Sequence, residues 1–329
     1  MNNNINNFVH ITSELEYYSC KFSPFNSNII AASQSQYYGI VGNGRISVYN
    51  YDLNNKQINE IKRFNTNDGC FDIAWSEANE NILASVQGDG TLKIWNINNE
   101  LNNNNNNNNV PLGNLVVHAE TIYGMDWSIN NPAHILTCGQ DMTIKLVDIS
   151  NLKILNNFTG HHGIVYNSKF HPTQDNVFAS CSQDGNLNIW DLKASNQPFK
   201  TIKAHNTHAM SCDFSKYDNT IATAGSDGSL ALWDLRGSNN VPLFVVKAHA
   251  LTIKKIGFSP FNANYLTSVG YDMNVRVWDI KLCQSLDIYK HHREFVMGTD
   301  WNLLDENVIS TCSWDRSLSI FRWNCLKMK

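Results

Sequence analysis

Five histidines in this chain keep fixed company. His118, His161, His205, His249 and His292 each lie nine residues before an aromatic: Trp127, Phe170, Phe214, Phe258 and Trp301. Ser85, Thr137, Ser180, Thr223, Ser268 and Thr311 form a second column, four positions before Asp89, Asp141, Asp184, Asp227, Asp272 and Asp315. Six positions beyond those aspartates stand Trp95, Val147, Trp190, Trp233, Trp278 and Phe321. Imidazole, hydroxyl and carboxylate are the groups of acid–base and nucleophilic chemistry. Recurring through the chain, they fit another use better. The carboxylate accepts from the imidazole, the imidazole meets the hydroxyl, and the hydroxyl meets the indole N–H, so every buried polar group has a partner. A structural role for these columns therefore outweighs a catalytic one.

Other chemistry is thinly supplied. The sequence has no G-x-S-x-G elbow, no phosphate-cradling G-x-x-x-x-G-K-[ST] and no H-E-x-x-H. Gly39-Ile40-Val41-Gly42-Asn43-Gly44 is glycine-rich but leads into a strand, which reads as a turn. The eight cysteines form no Cys-x-x-Cys pair, and most sit in short apolar runs such as Phe178-Ala179-Ser180-Cys181. They read as small buried residues of a reducing compartment, with neither a disulfide framework nor a metal site. No cofactor and no enzymatic activity are expected. A net charge of −4 argues against nucleic-acid binding, and no apolar run approaches the ~20 residues of a membrane span. The start, Met1-Asn2-Asn3-Asn4, lacks the features of a signal peptide, so a soluble cytoplasmic protein is expected.

The elements that must hold these columns follow from their period. The ends of the copies, near Tyr49, Trp95, Val147, Trp190, Trp233, Trp278 and Phe321, are spaced by 46, 52, 43, 43, 45 and 43 residues. Seven copies at this period match the blades of a β-propeller. The long interval holds an Asn-rich insertion, residues 98–110, read as an inert solvated loop. Leu187-Asn188-Ile189-Trp190 and Val275-Arg276-Val277-Trp278 alternate like half-buried strands, and Asp-Gly turns punctuate them. Little chain follows Phe321, so Phe8 to Thr12 is expected to supply the last blade's outer strand and close the ring. Residues 1–329 then form one domain. With Trp190-Asp191, Trp233-Asp234, Trp278-Asp279 and Gly160-His161, the columns resemble the WD-repeat family, whose blades carry this tetrad. The fold class is all-β: a seven-bladed WD-repeat β-propeller closed by an N-terminal strand.

Function is expected at the central mouth, where loops from all blades meet. Five residues after each histidine the aligned column reads Tyr18, Phe71, Tyr123, Tyr166, Met210, Lys254 and Met297. Phe295, Tyr271 and Trp314 come from neighbouring columns. Aromatics and methionine are enriched in interface cores. Glu294, Glu16, Asp68 and Glu120 belong to copies seven, one, two and three, an acidic arc on a closed ring. An apolar mouth with acid along one side suits a helix carrying an apolar stripe and a basic residue. The candidate peptide-binding set is therefore Glu16, Tyr18, Asp68, Phe71, Glu120, Tyr123, Tyr166, Met210, Tyr271, Glu294, Phe295, Met297 and Trp314.

Several segments outside the repeat columns carry a closer likeness. Asn67-Asp68-Gly69-Cys70-Phe71-Asp72-Ile73-Ala74-Trp75-Ser76-Glu77, Gln36-Tyr37-Tyr38-Gly39-Ile40, Phe258-Ser259-Pro260-Phe261 with Tyr271-Asp272, and His291-His292-Arg293-Glu294-Phe295 resemble a peroxin family. This is the family of cytosolic receptors for the type-2 peroxisomal targeting signal. The resemblance implies an import receptor for matrix proteins bearing an N-terminal signal of the form Arg-Leu-x5-His-Leu. It also implies a co-receptor, peroxisomal docking proteins, and cycling between cytosol and peroxisome (membrane and matrix), without insertion into the membrane. On that basis Glu16, Asp68, Glu120 or Glu294 pairs with the signal's Arg, and Phe71, Tyr123, Tyr166 and Trp314 pack its apolar stripe. A rival is a substrate adaptor of a cullin ubiquitin ligase, since Trp233-Asp234-Leu235-Arg236 fits a short WD-x-R box. Its plain alternative is an arginine that braces a strand end by pairing with a carboxylate.

Overall fold

A computed structural model of the chain describes residues 8–98, 110–237 and 240–324. Apart from its end residues, the Asn-rich insertion lies outside the described residues. Those residues form seven four-stranded antiparallel sheets. In blade 4 the strands run Val165–Phe170, Val177–Ser182, Asn186–Asp191 and Lys200–Lys203, from the axis outward. The first strands of successive blades (Glu16–Phe22, Cys70–Trp75, Ile122–Trp127, Val165–Phe170, Ala209–Phe214, Ile253–Phe258 and Val296–Trp301) pack on one another in a closed circle. The molecule is a seven-bladed β-propeller.

Closure is by the N-terminal strand. Phe8–Thr12 pairs antiparallel with Ser317–Arg322, from Phe8 opposite Phe321 to Thr12 opposite Ser317, and completes blade 7. Both ends of the described chain are thereby tied into one sheet, which leaves that blade no open inner ladder.

The apolar core lies between blades. Ile46, Val48 and Phe64 of blade 1, for example, meet Ile73, Trp75, Leu83 and Trp95 of blade 2. Sandwiching changes the expected burial of the third strands. Asn188 is as buried as Leu187 and Ile189, because blades cover that strand on both faces. The half-buried alternation is instead visible in outer strands such as Lys153–Phe158. Six described cysteines are buried and free, whereas Cys283 is exposed.

Hydrogen-bonded chains tie blades 2 to 7 internally. Trp190 Nε1 donates to Ser180 Oγ at 2.8 Å, Ser180 lies 2.7 Å from His161 Nε2, and His161 Nδ1 lies 2.9 Å from Asp184. Blade 6 repeats this with Trp278, Ser268, His249 and Asp272 at 2.8, 2.7 and 2.8 Å. His118 and His292 bridge Thr137 to Asp141 and Thr311 to Asp315, with Val147 and Phe321 where an indole would stand. In blade 5, His205 reaches Thr223 at 3.0 Å, but its other nitrogen meets Ser229 at 2.8 Å, with Asp227 at 4.0 Å. Blade 2 has no histidine. There Gln87 donates to Ser85 at 2.6 Å, and Ser85 also accepts from Trp95.

These environments move the titrations. Burial alone would raise the aspartates, yet hydrogen bonds from the histidines and nearby backbone reverse it: Asp141 is lowered to about 2, and Asp184, Asp272 and Asp315 also sit below the usual carboxylate range. His205, desolvated and short of a close carboxylate, is lowered to about 4.

Candidate functional site

The inner strands share one local irregularity, and it builds the site. Each strand's pairing shifts register near its start, between Tyr17 and Ser19, Cys70 and Asp72, Ile122 and Gly124, Val165 and Asn167, Ala209 and Ser211, Ile253 and Lys255, and Val296 and Gly298. The skipped residues are Tyr18, Phe71, Tyr123, Tyr166, Met210, Lys254 and Met297. A bulge inserts one residue that the ladder does not pair, and so re-aims its side chain. Seven bulges, one per blade, turn seven side chains into one opening.

All seven line a cavity of ≈ 430 Å³ at that mouth, with Tyr271 and Trp314. The rings form a nearly continuous belt. Tyr166 lies 5.9 Å from Tyr123, Tyr123 5.7 Å from Phe71, and Phe71 5.0 Å from Tyr18. Trp314 continues it at 5.7 Å from Tyr18, Phe295 lies 5.4 Å from Trp314, and Tyr271 stacks on Phe295 at 4.4 Å. Offset and edge-to-face pairs at such distances contribute ~0.5–1.5 kcal/mol each beyond their burial. Met210 and Met297, nearly buried, floor the opening. Burial raises the hydroxyls of Tyr18, Tyr123, Tyr166 and Tyr271, so the belt is uncharged at neutral pH.

The acidic residues are less uniform. Glu16 is 2% exposed and does not line the cavity. Arg316 holds it, donating from Nε at 3.0 Å and Nη2 at 2.9 Å. A carboxylate so covered has no face for a ligand, which corrects its expected place in the acidic arc. Asp68 is half-buried and accepts the Gly69 N–H at 2.6 Å. Glu120 is exposed, directly precedes Thr121 of the cavity wall, and adds by its charge to the rise in Tyr123. Glu294 is exposed on the loop into blade 7. Asp68, Glu120 and Glu294 thus stand around the cavity rather than in its wall, and Arg316 interrupts the arc at blade 1.

Two features escaped the sequence reading. The segment read as a turn is a lip of the mouth: Tyr38, Gly39 and Ile40 line the cavity, and Ile40 is 85% exposed. Tyr37, Tyr38 and Gly39 all have positive φ, at 48°, 56° and 67°. A Cβ on Gly39 would meet the Phe71 ring and the Tyr18 hydroxyl at 2.9 Å, so glycine is required by both conformation and space. The Tyr18 hydroxyl donates to the Tyr38 carbonyl and pins the lip. Consecutive aromatics before a glycine were the available signal. The second feature is Lys254, which the column named but charge did not place. Its Nζ stands 5.8 Å from the centroid of Tyr166.

A smaller cavity of ≈ 190 Å³ opens at the other end of the axis. There Lys21 pairs with Asp300 at 2.8 Å and Lys169 pairs with Asp126. Asp126, Asp213 and Asp300 also accept backbone N–H groups of Phe170, Phe258 and Phe22 on the next blade. Those groups are spent on tying blades together. Arg236 of the WD-x-R box folds back on Asp234 at 2.7 Å, the strand-end brace. Among the described residues no helix is long and apolar enough to cross a membrane.

Comparison with known proteins agrees with this architecture. The family of the WD domain, G-beta repeat, matches residues 58–96, 109–148, 152–191, 196–234 and 240–279. The chain is 35% identical over 311 residues to the peroxisomal targeting signal 2 receptor of Mus musculus, covering 94% of each. It is 36% identical to the receptor of the same name from Homo sapiens, covering 85% of this chain and 84% of that one. It is 33% identical to peroxisome biogenesis protein 7 of Arabidopsis thaliana, covering 93% and 94%.

Proposed function

Because the chain belongs to the WD-repeat family of peroxisomal targeting signal 2 receptors, we propose that its aromatic mouth binds the N-terminal type-2 signal of peroxisomal matrix proteins as a helix. The observation that carries this is the belt of Tyr166, Tyr123, Phe71 and Tyr18, set on bulges around one cavity and continued by Trp314. Partly accessible rings on rigid strands are the groups that anchor an amphipathic helix at small entropic cost. Phe71, Tyr123, Tyr166, Tyr271 and Trp314 take its apolar stripe, and Phe295 backs Tyr271. Tyr18, Met210 and Met297 form the floor. Asp68 and Glu120, with Glu294 further round, face the basic residue of the signal.

Receptor, not catalyst, is the role such a surface suits. A co-receptor completes the cover over the bound helix, and the loaded receptor docks at the peroxisome and cycles back to the cytosol. The test is binding of a nine-residue signal peptide and its Arg→Ala form to the wild-type chain and to Asp68→Lys and Glu120→Lys. Wild-type preference for Arg and a loss of at least about tenfold in each variant are expected. Equal affinity across all of them would remove the acidic rim from recognition.

A further inference from the structure

Lys254 is the one charged member of the seven-residue column. Its inner strand contributes a half-buried cation to a ring whose six other members are aromatic or thioether, in a cavity that Asp72 and Lys255 also line. Among the described residues no carboxylate stands within ion-pairing distance of it. The nearest acid by its effect, Asp72 of blade 2, is already engaged: it accepts the N–H groups of Ile73 at 3.0 Å and Met125 at 3.2 Å, and Lys255 stands 3.9 Å away. What Lys254 has instead is the face of Tyr166 across the mouth. A cation held in a partly dry cavity without a counter-charge is costly, and such groups concentrate at working sites.

The charge layout around the ring is polar. Asp68 and Glu120 belong to the loops of blades 2 and 3, while Lys254 rises from blade 6, on the far side of a seven-membered circle. A helix carries a complementary polarity. Its last four carbonyl groups lack intrahelical partners and bear the negative end of the dipole. We propose that Lys254 sets the direction in which the signal helix lies, donating from its ammonium to the carbonyl oxygens that end the helix while the signal's Arg sits at Asp68 and Glu120. The assignment rests on the receptor function proposed above and deepens it.

Titration gives a readout that a merely structural lysine would not move. Burial, then repulsion from Lys255, lowers Lys254 to about 8. The groups facing it are Asp72, Lys255, Cys138 and Tyr166. Asp72 is held below the usual range and stays ionised, Cys138 is raised to about 12, and Tyr166 is raised as well. Lys255 is also lowered, by burial first, but it is retained in every variant and cancels in the comparison.

The experiment is fluorescence anisotropy with an acetylated, amidated nine-residue signal peptide, from pH 7 to 9.5, on the wild-type chain, Lys254→Met and Lys254→Arg. Methionine is the residue of this column in blades 5 and 7, so the fold should accept it. Loss of a charge-assisted hydrogen bond weakens binding about tenfold in Lys254→Met at pH 7. The wild type should weaken by a similar factor as the amine deprotonates, whereas Lys254→Met keeps only the shallower slope that Lys255 contributes to both proteins. Lys254→Arg keeps affinity within about threefold and loses the Lys254 part of the alkaline fall, since guanidinium stays charged. Lys254→Met within twofold of wild type, or an unchanged alkaline slope in either variant, would overturn the proposal while leaving the receptor function standing. Failure of the wild type to bind the peptide at all would remove both.

Discussion

Tyr123 gives the sharpest test of the aromatic belt. It sits on the blade 3 bulge, half-buried, 5.7 Å from Phe71 and 5.9 Å from Tyr166. A tyrosine offers roughly 150–250 Å² for burial, so the accessible half presents on the order of 80 Å² to a ligand. At ~25 cal/mol/Å² that surface contributes about 2 kcal/mol to binding, or about thirtyfold in Kd. Tyr123→Ala should therefore weaken a labelled nine-residue signal peptide by about thirtyfold in fluorescence anisotropy. Tyr123→Phe loses only a long hydroxyl contact to Gln140 at 3.3 Å and should stay within about threefold. Phe25→Ala, an exposed ring outside the cavity, serves as the surface control. If Tyr123→Ala binds within twofold of wild type while remaining folded, the mouth is not where the apolar stripe sits.

Three further outcomes follow from the partners already described. Glu16→Gln removes the Arg316 pair, and because Arg316 is itself largely exposed the stability loss should be only about 1 kcal/mol, with peptide affinity unchanged; a tenfold loss of binding would restore Glu16 to the site. Ser180→Ala leaves His161 Nε2 and Trp190 Nε1 without their partner, a loss of about 3 kcal/mol in denaturant unfolding, and a change under 0.5 kcal/mol would show the chain of bonds to be idle. His205, lowered to about 4 when folded against about 6.5 when unfolded, binds its proton first in the unfolded chain. His205 alone should then take up to about 3 kcal/mol from stability as pH drops from 6.5 to 4, in addition to what His10, His171 and His291, also lowered by burial, take in both proteins, so the fall is less steep in His205→Asn. The lowered aspartates lie outside that window, since their contribution is lost only below the ordinary carboxylate range; equal slopes in both proteins would contradict the assignment.

The repeat was legible because it is made of polar residues that burial forces to pair. His161, Ser180, Asp184 and Trp190 must stand at fixed offsets for their hydrogen bonds to close, so spacing alone betrays the blade. The mouth column was legible for a related reason: the bulge falls at the same register in every inner strand, which keeps Tyr18, Phe71, Tyr123 and Tyr166 aligned. Pairing between distant residues left no such trace. Glu16 looked like rim charge because Arg316, which covers it, lies 300 positions away. The lip at Tyr37 to Gly39 depends on left-handed backbone at two tyrosines, which residue identity does not announce.

A seven-fold ring by itself cannot tell one end of a peptide from the other. Repetition supplies the cavity and the belt, and fold alone leaves function open. Discrimination must come from where the repeat is broken. The structure breaks it in a few places: the lip of blade 1 with its exposed Ile40, the acidic loops at Asp68 and Glu120, and Lys254 facing Tyr166 where other blades place aromatics or methionine. These departures are not needed for packing, since blades without them hold the same sheet order. They are also unevenly placed, acid beside blades 2 and 3 and the amine on blade 6. On the proposed assignment, a ligand with one basic end and one carbonyl-rich end would fit that layout in a single orientation, and the same groups would turn away an apolar helix of the opposite charge order.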